Sequence, residues 1–369
     1  MKLMCFFQNQ KHQVVPLDLE KLKKKEESFT NEIGIRAIIN KKQSIVSTTN
    51  LEKQNVYNLT EKVVEMAKVV PENQYCGLAE SDKIKQVSKQ EVQKLEICDT
   101  YEPTMSLIEK EVIKLEESAL DNKEITNSEG AEIAYSKNSI CLLGSNGLEI
   151  EMEKTHSDFI IAVLAGSKDT MEREYDYKSK VFYNELGDFE KIGKEVSQNA
   201  IKKLNSRKLK TCKSDVIFDS KVSSSLLRNL FSASNAQSIV KGISFLKDKM
   251  NNKVFNDRIS IIDDPLMPKK LRSKISDCEG IQSKKKFLIE KGYLKFFFNS
   301  LASAKQIKHE PSGHATRSAS SIPSVSYSNL YMENGEISKL DMIKSLKKGL
   351  LITELMGSSI NYSNGDYSR

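Results

Sequence analysis

Two histidines and a glutamate in the last quarter of the chain spell a zinc-peptidase pattern. His309, Glu310 and His314 follow the order HExxxH. In zinc peptidases, imidazoles hold the metal, one coordination position stays open for water, and a carboxylate serves as general base. Here the intervening Pro-Ser-Gly favours a turn, so the helical spacing of the ligands is lost. We therefore interpret both histidines as surface residues of a loop, and we predict no metal in this chain.

A pair of carboxylates is the second candidate for chemistry. Asp277 and Glu279 flank Cys278 and precede Gly280. Paired carboxylates can serve as acid and base when their environments separate their pKa values, and in a strand the two side chains would share a face. The alternative is a turn that caps the next strand, which we favour. Cys278 lacks cationic neighbours that would activate its thiol, so we do not interpret it as a nucleophile.

Composition argues against several classes of protein. The net charge of the 369 residues is +7, but the basic residues are mostly Lys, scattered and mixed with Glu, and there is no Trp. A nucleic-acid surface would more often cluster Arg with aromatic residues, so we predict no nucleic-acid partner. The six cysteines have wide, irregular spacings that fit free thiols in a reducing compartment. No apolar run is long enough for a signal peptide or a membrane span, which predicts a cytoplasmic protein.

The elements that would position these residues follow from periodicity and turn signals. Residues 34–49 contain two β-rich runs around Lys41 and Lys42, which predict a hairpin. A helix capped by Thr49 or Asn50 follows and ends before Pro71. Residues 81–100 read as a linker or a charged helix, and a helix is expected from about Met105 to Leu120.

The middle and last parts are predicted to be richer in strands. Short alternating runs at 132–135, 140–143, 148–153, 159–164 and 172–183 predict an antiparallel meander, and Asp188 can cap the helix that follows it. Beyond residue 211 we predict short strands, a helix around 226–249, and a Ser-rich loop over 312–329 that could form a flexible lid. The fold class expected from this order is α+β, with a division at 1–80, 81–210 and 211–369.

Several segments resemble the TldD/TldE peptidase family, and in particular its PmbA or TldE type of subunit. They occur in the family's order from about residue 14 to the end. The segments that carry the resemblance are GIRAIINKKQSIVSTTNL at 34–51, AKVVPENQYCGLAES at 67–81, MEREYDYKSKV at 171–181, VIFDSKVSSSLL at 216–227, GISFLKDKM at 242–250, IIDDPLMPKKLRSKISDCEGI at 261–281, SGHATR at 312–317 and ITELMGSSINYSNGDYSR at 352–369.

The resemblance implies a two-part chain with an N-terminal α/β region and a C-terminal β-rich region. It implies a heterodimer with a TldD-type subunit, or a homodimer, that encloses a peptide cavity and cleaves small or unfolded peptides. The zinc-binding HExxxH motif belongs to the TldD-type partner. At the matching positions this chain has Arg228, Asn229 and Ala233, whose side chains offer neither the metal ligands nor the general base.

The resemblance also suggests residues for the shared peptide cavity. The candidates are Asp277, Glu279, Gly280, His314 and Arg317. Family members are expected to continue past Arg369 with further strands and a cysteine near the metal. Three hypotheses remain open: a non-catalytic partner subunit, a stand-alone metallopeptidase that uses His309 and His314, and a non-functional fragment of a degraded gene.

Overall fold

The computed structural model describes residues 1–19, 21–22, 25–167, 170–346, 348–357 and 359–368. Within these ranges the fold is α+β with predominantly antiparallel sheets, as the sequence predicts. A large sheet forms the first part of the chain, and smaller sheets with short helices form the last part. No helix of the described residues is long and apolar enough to cross a membrane.

The large sheet has seven strands, in the order β4-β3-β1-β5-β6-β7, with β2 paired to β1. All of its neighbouring strands are antiparallel. It takes strands from both 1–80 and 81–210, and the three-part division remains a prediction. The strands are β1 (Lys2–Asp18), β2 (Lys21–Leu22), β3 (Glu26–Ile39), β4 (Lys42–Thr48), β5 (Ile125–Gly144), β6 (Glu149–Ala165) and β7 (Glu172–Lys180).

The hairpin predicted near residue 41 is confirmed as β3 and β4. Asn40 and Lys41 form its turn with positive φ angles of 45° and 63°, the conformation of the two-residue turns that fit strand twist. Strand β1 was missed, although it lies between β3 and β5 in the sheet. Polar residues from Gln8 to Gln13 separate the apolar residues at its two ends, so the sequence shows no continuous strand pattern.

The meander is confirmed, but its strands are longer than the sequence suggests. The runs at 132–135 and 140–143 are parts of one strand, β5, and those at 148–153 and 159–164 are parts of β6. The polar residues between the runs stay in register with polar residues of the neighbouring strand, such as Ser136 with His156. Along each strand, the backbone pairing with the neighbouring strands therefore continues through polar residues, beyond the apolar runs.

Helices cover one part of this sheet and build its main core. Apolar residues of β1, β5 and β6 pack against two of these helices, with Ile133, Phe159 and Leu115 among the buried side chains. The helix expected from Met105 to Leu120 has these bounds and is capped by the Thr104 side chain. The helices of this part are α1 (Lys53–Val69), α2 (Lys89–Lys94), α3 (Met105–Leu120) and α4 (Phe189–Lys202), with short 3-10 turns at Ser81–Lys83 and Tyr183–Glu185.

The two caps of α1 and α4 differ in how well the sequence predicted them. Asp188 accepts a hydrogen bond from the Glu190 amide and caps α4, as predicted. Helix α1 begins after Glu52, whose side chain makes no capping bond. The Asn50 side chain instead accepts a hydrogen bond from the Glu52 amide, at 2.9 Å, just before the helix begins. Residues 81–100, read as a linker or a charged helix, contain only the six-residue α2 and one 3-10 turn.

The last part of the chain is built from short strands. A four-stranded sheet has the order β11-β10-β9-β14, and three further pairs are β12 with β13, β15 with β8, and β16 with β17. The strands are β8 (Asp215–Phe218), β9 (Ile261–Asp263), β10 (Lys286–Glu290), β11 (Tyr293–Leu294), β12 (Ala315–Thr316), β13 (Ser324–Val325), β14 (Leu330–Met332), β15 (Gly349–Ile352), β16 (Ser359–Asn361) and β17 (Asp366–Ser368).

Four helices complete this part. They are α5 (Ser220–Ser234), α6 (Ala236–Val240), α7 (Leu301–Ile307) and α8 (Lys339–Ser345). The prediction of one helix around 226–249 was wrong at both ends. The helix begins earlier because Asp219 caps it, and it ends at Asn235, which adopts an extended conformation and caps α6 with its side chain.

The two parts meet on the face of the large sheet that carries Met4, Phe6 and Ile38. These residues share a buried cluster with Leu301 of α7 and with Ala319. A Cβ atom at Gly34 of β3 would lie 1.8 Å from the Ala319 carbonyl oxygen. The 312–329 segment is thus pressed against the strand backbone, with room for glycine alone at that point.

Candidate functional site

Helix α5 carries Arg228, Asn229 and Ala233, the three residues that the sequence resemblance aligns with the zinc-motif positions. Arg228 is exposed, Asn229 is half-buried, and Ala233 is fully buried. Positions 228 and 233 are five residues apart on a helix with 3.6 residues per turn, so their side chains point in directions about 140° apart. Ala233 packs into the core with Leu246 and Phe298. None of the three residues supplies a zinc ligand, so this helix does not fit the metal.

Asn229 faces a cavity of about 690 Å³ beside α5. Its Nδ2 atom is shielded from solvent and has no hydrogen-bond partner in the described part of the chain. Most of the cavity wall is apolar, and the residues that line it include Leu226, Phe245, Phe255, Ile261, Met332 and Tyr362. A buried amide donor in an otherwise apolar wall can bind a carbonyl oxygen of a ligand.

His314 is a buried hydrogen-bonding hub rather than a surface residue. Its Nε2 atom lies 2.9 Å from Asp263 Oδ2, and its Nδ1 atom lies 2.9 Å from Ser312 Oγ. The ring is 1% exposed and packs edge-on against Phe298. Burial lowers the pKa of His314, which favours the neutral ring that donates from Nε2 to the Asp263 carboxylate. The expectation of a surface residue was therefore wrong for His314.

His309, the other half of the HExxxH pattern, lies elsewhere on the surface. It is exposed and contacts the Phe297 ring. Both ring nitrogens of His314 are already engaged by protein atoms, which leaves neither for a metal. The described residues contain no group of three or more potential ligands from His, Cys, Asp and Glu.

The predicted turn at Asp277–Gly280 is present. The Gly280 amide donates to the Asp277 carbonyl at 3.1 Å, and Gly280 has a φ of +85°. The Asp277 carboxylate accepts three backbone N–H bonds, from Glu279, Ile281 and Ala315. Through the last of these bonds, the turn holds the strand that follows His314. These contacts match the structural interpretation of the pair.

Glu279 has a more unusual environment than Asp277. Its carboxyl is 3% exposed and accepts one hydrogen bond, at 2.7 Å, from the Leu301 amide at the start of α7. Burial, and then the neighbouring Asp277 carboxylate, raise the pKa of Glu279 to about 7. Burial also raises the pKa of Asp277. Because Asp277 accepts three backbone donors and Glu279 only one, we assign the shared proton to Glu279.

Two arginines complete the polar cluster at this junction. Arg36 of β3 is 3% exposed, and its Nε and Nη2 atoms donate to Gln43 Oε1. Arg317 lies over the Phe6 ring and donates from Nε to the Ser318 carbonyl. Burial lowers the pKa of both guanidinium groups, and the charge of Glu279 opposes that shift in each. Glu279 and Arg317 are thus brought together as sequence candidates.

Sequence reasoning missed Arg36, although a signal was present. It is the one charged residue of the apolar run Gly34–Ile39, and it occupies a position opposite Met4 on β1. A charged side chain on the inward face of a strand needs a polar partner in the interior. The remaining candidates, Asp277, Gly280 and His314, lie in the interior beside this cluster, and their role in a peptide cavity remains a prediction.

Two family models match the chain over most of its length. The PmbA/TldA metallopeptidase central domain matches residues 88–204, and the C-terminal domain of the same family matches residues 211–369. Together the matched ranges leave out the first 87 residues and a short connecting segment.

Relatives and solved structures agree with these matches. A PmbA homologue from Buchnera aphidicola subsp. Baizongia pistaciae is 27% identical over 333 residues, which cover 89% of this chain and 71% of that protein. Metalloprotease PmbA of Escherichia coli O157:H7 is 25% identical over 338 residues, with 91% and 72% covered.

Two crystal structures share the fold. TldE from Thermococcus kodakarensis has a TM-score of 0.84 and 22% identity, with 99% of this chain and 82% of that chain covered. A protein from Bacteroides thetaiotaomicron has a TM-score of 0.90 and 21% identity, with 100% and 81% covered.

Proposed function

This chain belongs to the PmbA/TldD metallopeptidase family, and from that premise we propose that it is a non-catalytic, TldE-like subunit. It acts in the cytoplasm with a TldD-type subunit, which holds the zinc, on small or unfolded peptides. The observation that carries the proposal is helix α5, which the sequence resemblance matches to the motif helix and which has Arg228, Asn229 and Ala233 at the motif positions.

The packing of α5 supports a helix that has no catalytic function. Ala233 is enclosed by core residues, and its carbonyl oxygen accepts a hydrogen bond from Ser244 at 2.6 Å. A histidine at this position would have to displace Leu246 or Phe298. Asn229, which stands where a general base would be needed, has an amide that cannot accept a proton from water. The helix is thus suited to forming a wall beside a ligand rather than to activating water.

The stand-alone metallopeptidase has less support from the geometry. It requires His309 and His314 as ligands, but His309 is exposed and both nitrogens of His314 are bonded to Asp263 and Ser312. Freeing the His314 ring would leave the buried Asp263 carboxylate without one of its two donors. We therefore place the zinc of the complex in the partner subunit.

The test is reconstitution with a TldD-type subunit from the same cell. We expect no cleavage of unfolded peptides by this chain alone, and chelator-sensitive cleavage once the partner is added. Elemental analysis of the isolated chain after dialysis should find no stoichiometric zinc. Chelator-sensitive turnover by the isolated chain, with about one zinc per chain lost in His309→Ala, would contradict the proposal.

A further inference from the structure

A second cavity lies beside β10, and Ser312, a hydrogen-bond partner of His314, is part of its wall. Its volume is about 390 Å³, within the range of roughly 300–1,000 Å³ that is usual for small-ligand sites. Its wall contains three phenylalanines, two lysines and two glutamates, and the side chains used below are Lys286, Lys295, Glu310, Phe296 and Phe297.

Lys286 is the cation in this wall that lacks a protein counter-ion. Among the described residues it makes no ion pair within 4.0 Å. Its Nζ atom donates one hydrogen bond, at 2.9 Å, to the Ser312 carbonyl oxygen and lies 5.7 Å from the centre of the Phe296 ring. An ammonium group carries three N–H donors, so two remain for a ligand.

Two neighbouring lysines have carboxylate partners within the protein. Lys295 lies 3.4 Å from Glu290, and Lys285, next to Lys286 in sequence, lies 3.7 Å from Asp264. Glu310 also lines the cavity, and it is exposed to solvent. Among the described residues, Lys286 is therefore the lysine of this wall without an ion-pair partner, and a bound anion would supply its counter-charge.

The two carboxylates that interact electrostatically with Lys286, those of Asp263 and Asp277, already accept hydrogen bonds from other protein groups. Asp263 accepts the Ser328 amide at 2.7 Å and the His314 ring at 2.9 Å, and Asp277 accepts three backbone amides. Burial lowers the pKa of Lys286, and the adjacent Lys284 lowers it further. A bound anion would offset both effects, because an opposite charge favours the protonated amine.

We propose that this cavity binds the free C-terminal carboxylate of a peptide, with Lys286 as the cation that receives it. The ligand's last side chain is apolar or aromatic, because Phe296 and Phe297 form the adjoining wall. Asn299, whose side chain is fixed by the Glu310 carbonyl and the Ser312 amide, holds the rim in place. The inference rests on the proposed function only in taking the anion to be part of a peptide.

The experiment is calorimetric titration of the full chain, without any partner subunit. N-acetyl-Ala-Phe is compared with its C-terminal amide, with N-acetyl-Ala-Gly and with inorganic phosphate at equal ionic strength. We expect the free acid to bind at least about tenfold more tightly than the amide, a difference of about 1.4 kcal/mol. The glycine peptide should bind more weakly than the phenylalanine peptide because it leaves the aromatic wall uncovered.

Three variants at two neighbouring positions separate the site from general surface charge. Lys286→Met keeps the apolar stem and should abolish the preference for the acid over the amide, whereas Lys286→Arg should retain it. Lys285→Met removes an equal charge outside the cavity and should leave the titration unchanged. Thermal midpoints of the three variants establish that each is folded.

Several outcomes would overturn the inference. They are equal binding of acid and amide, no binding of the acid up to millimolar concentrations, phosphate binding as tightly as the peptide acid, or an unchanged titration in folded Lys286→Met. Because no partner and no turnover enter this experiment, failed reconstitution with a TldD-type subunit would leave its result intact. Binding failure would likewise leave the reconstitution result intact.

Discussion

The substitution Glu279→Gln should make this protein more stable at alkaline pH and hardly change it at acidic pH. Glu279 is buried between the large sheet and the last part of the chain, and its pKa is raised from 4.5 to about 7. The folded state therefore holds this proton over a range of pH in which the unfolded chain has lost it. Stability contributed by the protonated carboxyl is fully present below 4.5 and is lost as pH rises through about 7.

The magnitude follows from the two pKa values. Each pH unit between them corresponds to about 1.4 kcal/mol, so the interval from 4.5 to about 7 corresponds to roughly 3 kcal/mol. A glutamine stays neutral at every pH, and its carbonyl oxygen can accept the Leu301 amide as the carboxyl does. Above pH 8 we expect Glu279→Gln to exceed the parent in free energy of unfolding by up to about 3 kcal/mol.

Urea unfolding at pH 5, 6, 7 and 8 is the assay. Asp277→Asn is the informative control, because it removes an oxygen that accepts backbone amides and should destabilise the protein at all four pH values. Glu290→Gln, on the surface beside Lys295, controls for the loss of a carboxylate as such. Parallel pH curves for the parent and Glu279→Gln would refute the assignment of the proton to Glu279.

Three further comparisons of variants test the packing of the candidate residues. Gly34→Ala places a methyl group against the Ala319 carbonyl and should cost about 1–3 kcal/mol in urea unfolding, while Gly335→Ala, which meets no atom within 4 Å, should stay within about 0.5 kcal/mol of the parent. His314→Phe leaves Asp263 without one donor and should lower stability by about 1–3 kcal/mol, whereas His309→Phe on the surface should not. The combined change of Arg228→His, Asn229→Glu and Ala233→His should show only background peptide hydrolysis, and Ala233→His alone should lower the thermal midpoint because that position is fully buried. Chelator-sensitive turnover by the triple variant, or an unchanged midpoint for the single one, would contradict our account of α5.

Much of the fold was predictable where one face of an element is apolar and its end carries a cap. Helix α3 met both conditions, with Thr104 before it and buried residues at helical spacing, and its bounds were predicted as they are. Strand β1 met neither condition, because its middle is polar and pairs with equally polar residues of β3 and β5. Patterns within a short stretch of sequence do not predict such strand pairing, because each partner strand lies far away in the sequence.

The candidate residues show a similar division between local and distant information. The turn at Asp277–Gly280 was predictable from its own residues, because Gly280 supplies the positive φ that the turn needs. The pairing of His314 with Asp263 joins residues 51 positions apart. Arg36 and Arg317 both interact electrostatically with Glu279 from two parts of the chain, and the spacing of the three residues in the sequence does not indicate it.

The Ser-rich segment over 312–329, for which the composition suggests a flexible lid, has several anchoring contacts in the structure. Serine is frequent in mobile loops, but its small hydroxyl also satisfies backbone groups in the interior. Ser312 bonds both backbone atoms of Asn299, and the Ser328 amide donates to Asp263. With Ala319 packed on Gly34, these bonds fix the segment at its two ends and at Ala319, while Ser320, Ile322 and Ser324 remain exposed. The described chain has a cavity beside this segment, next to Lys286, and another along α5, next to Asn229.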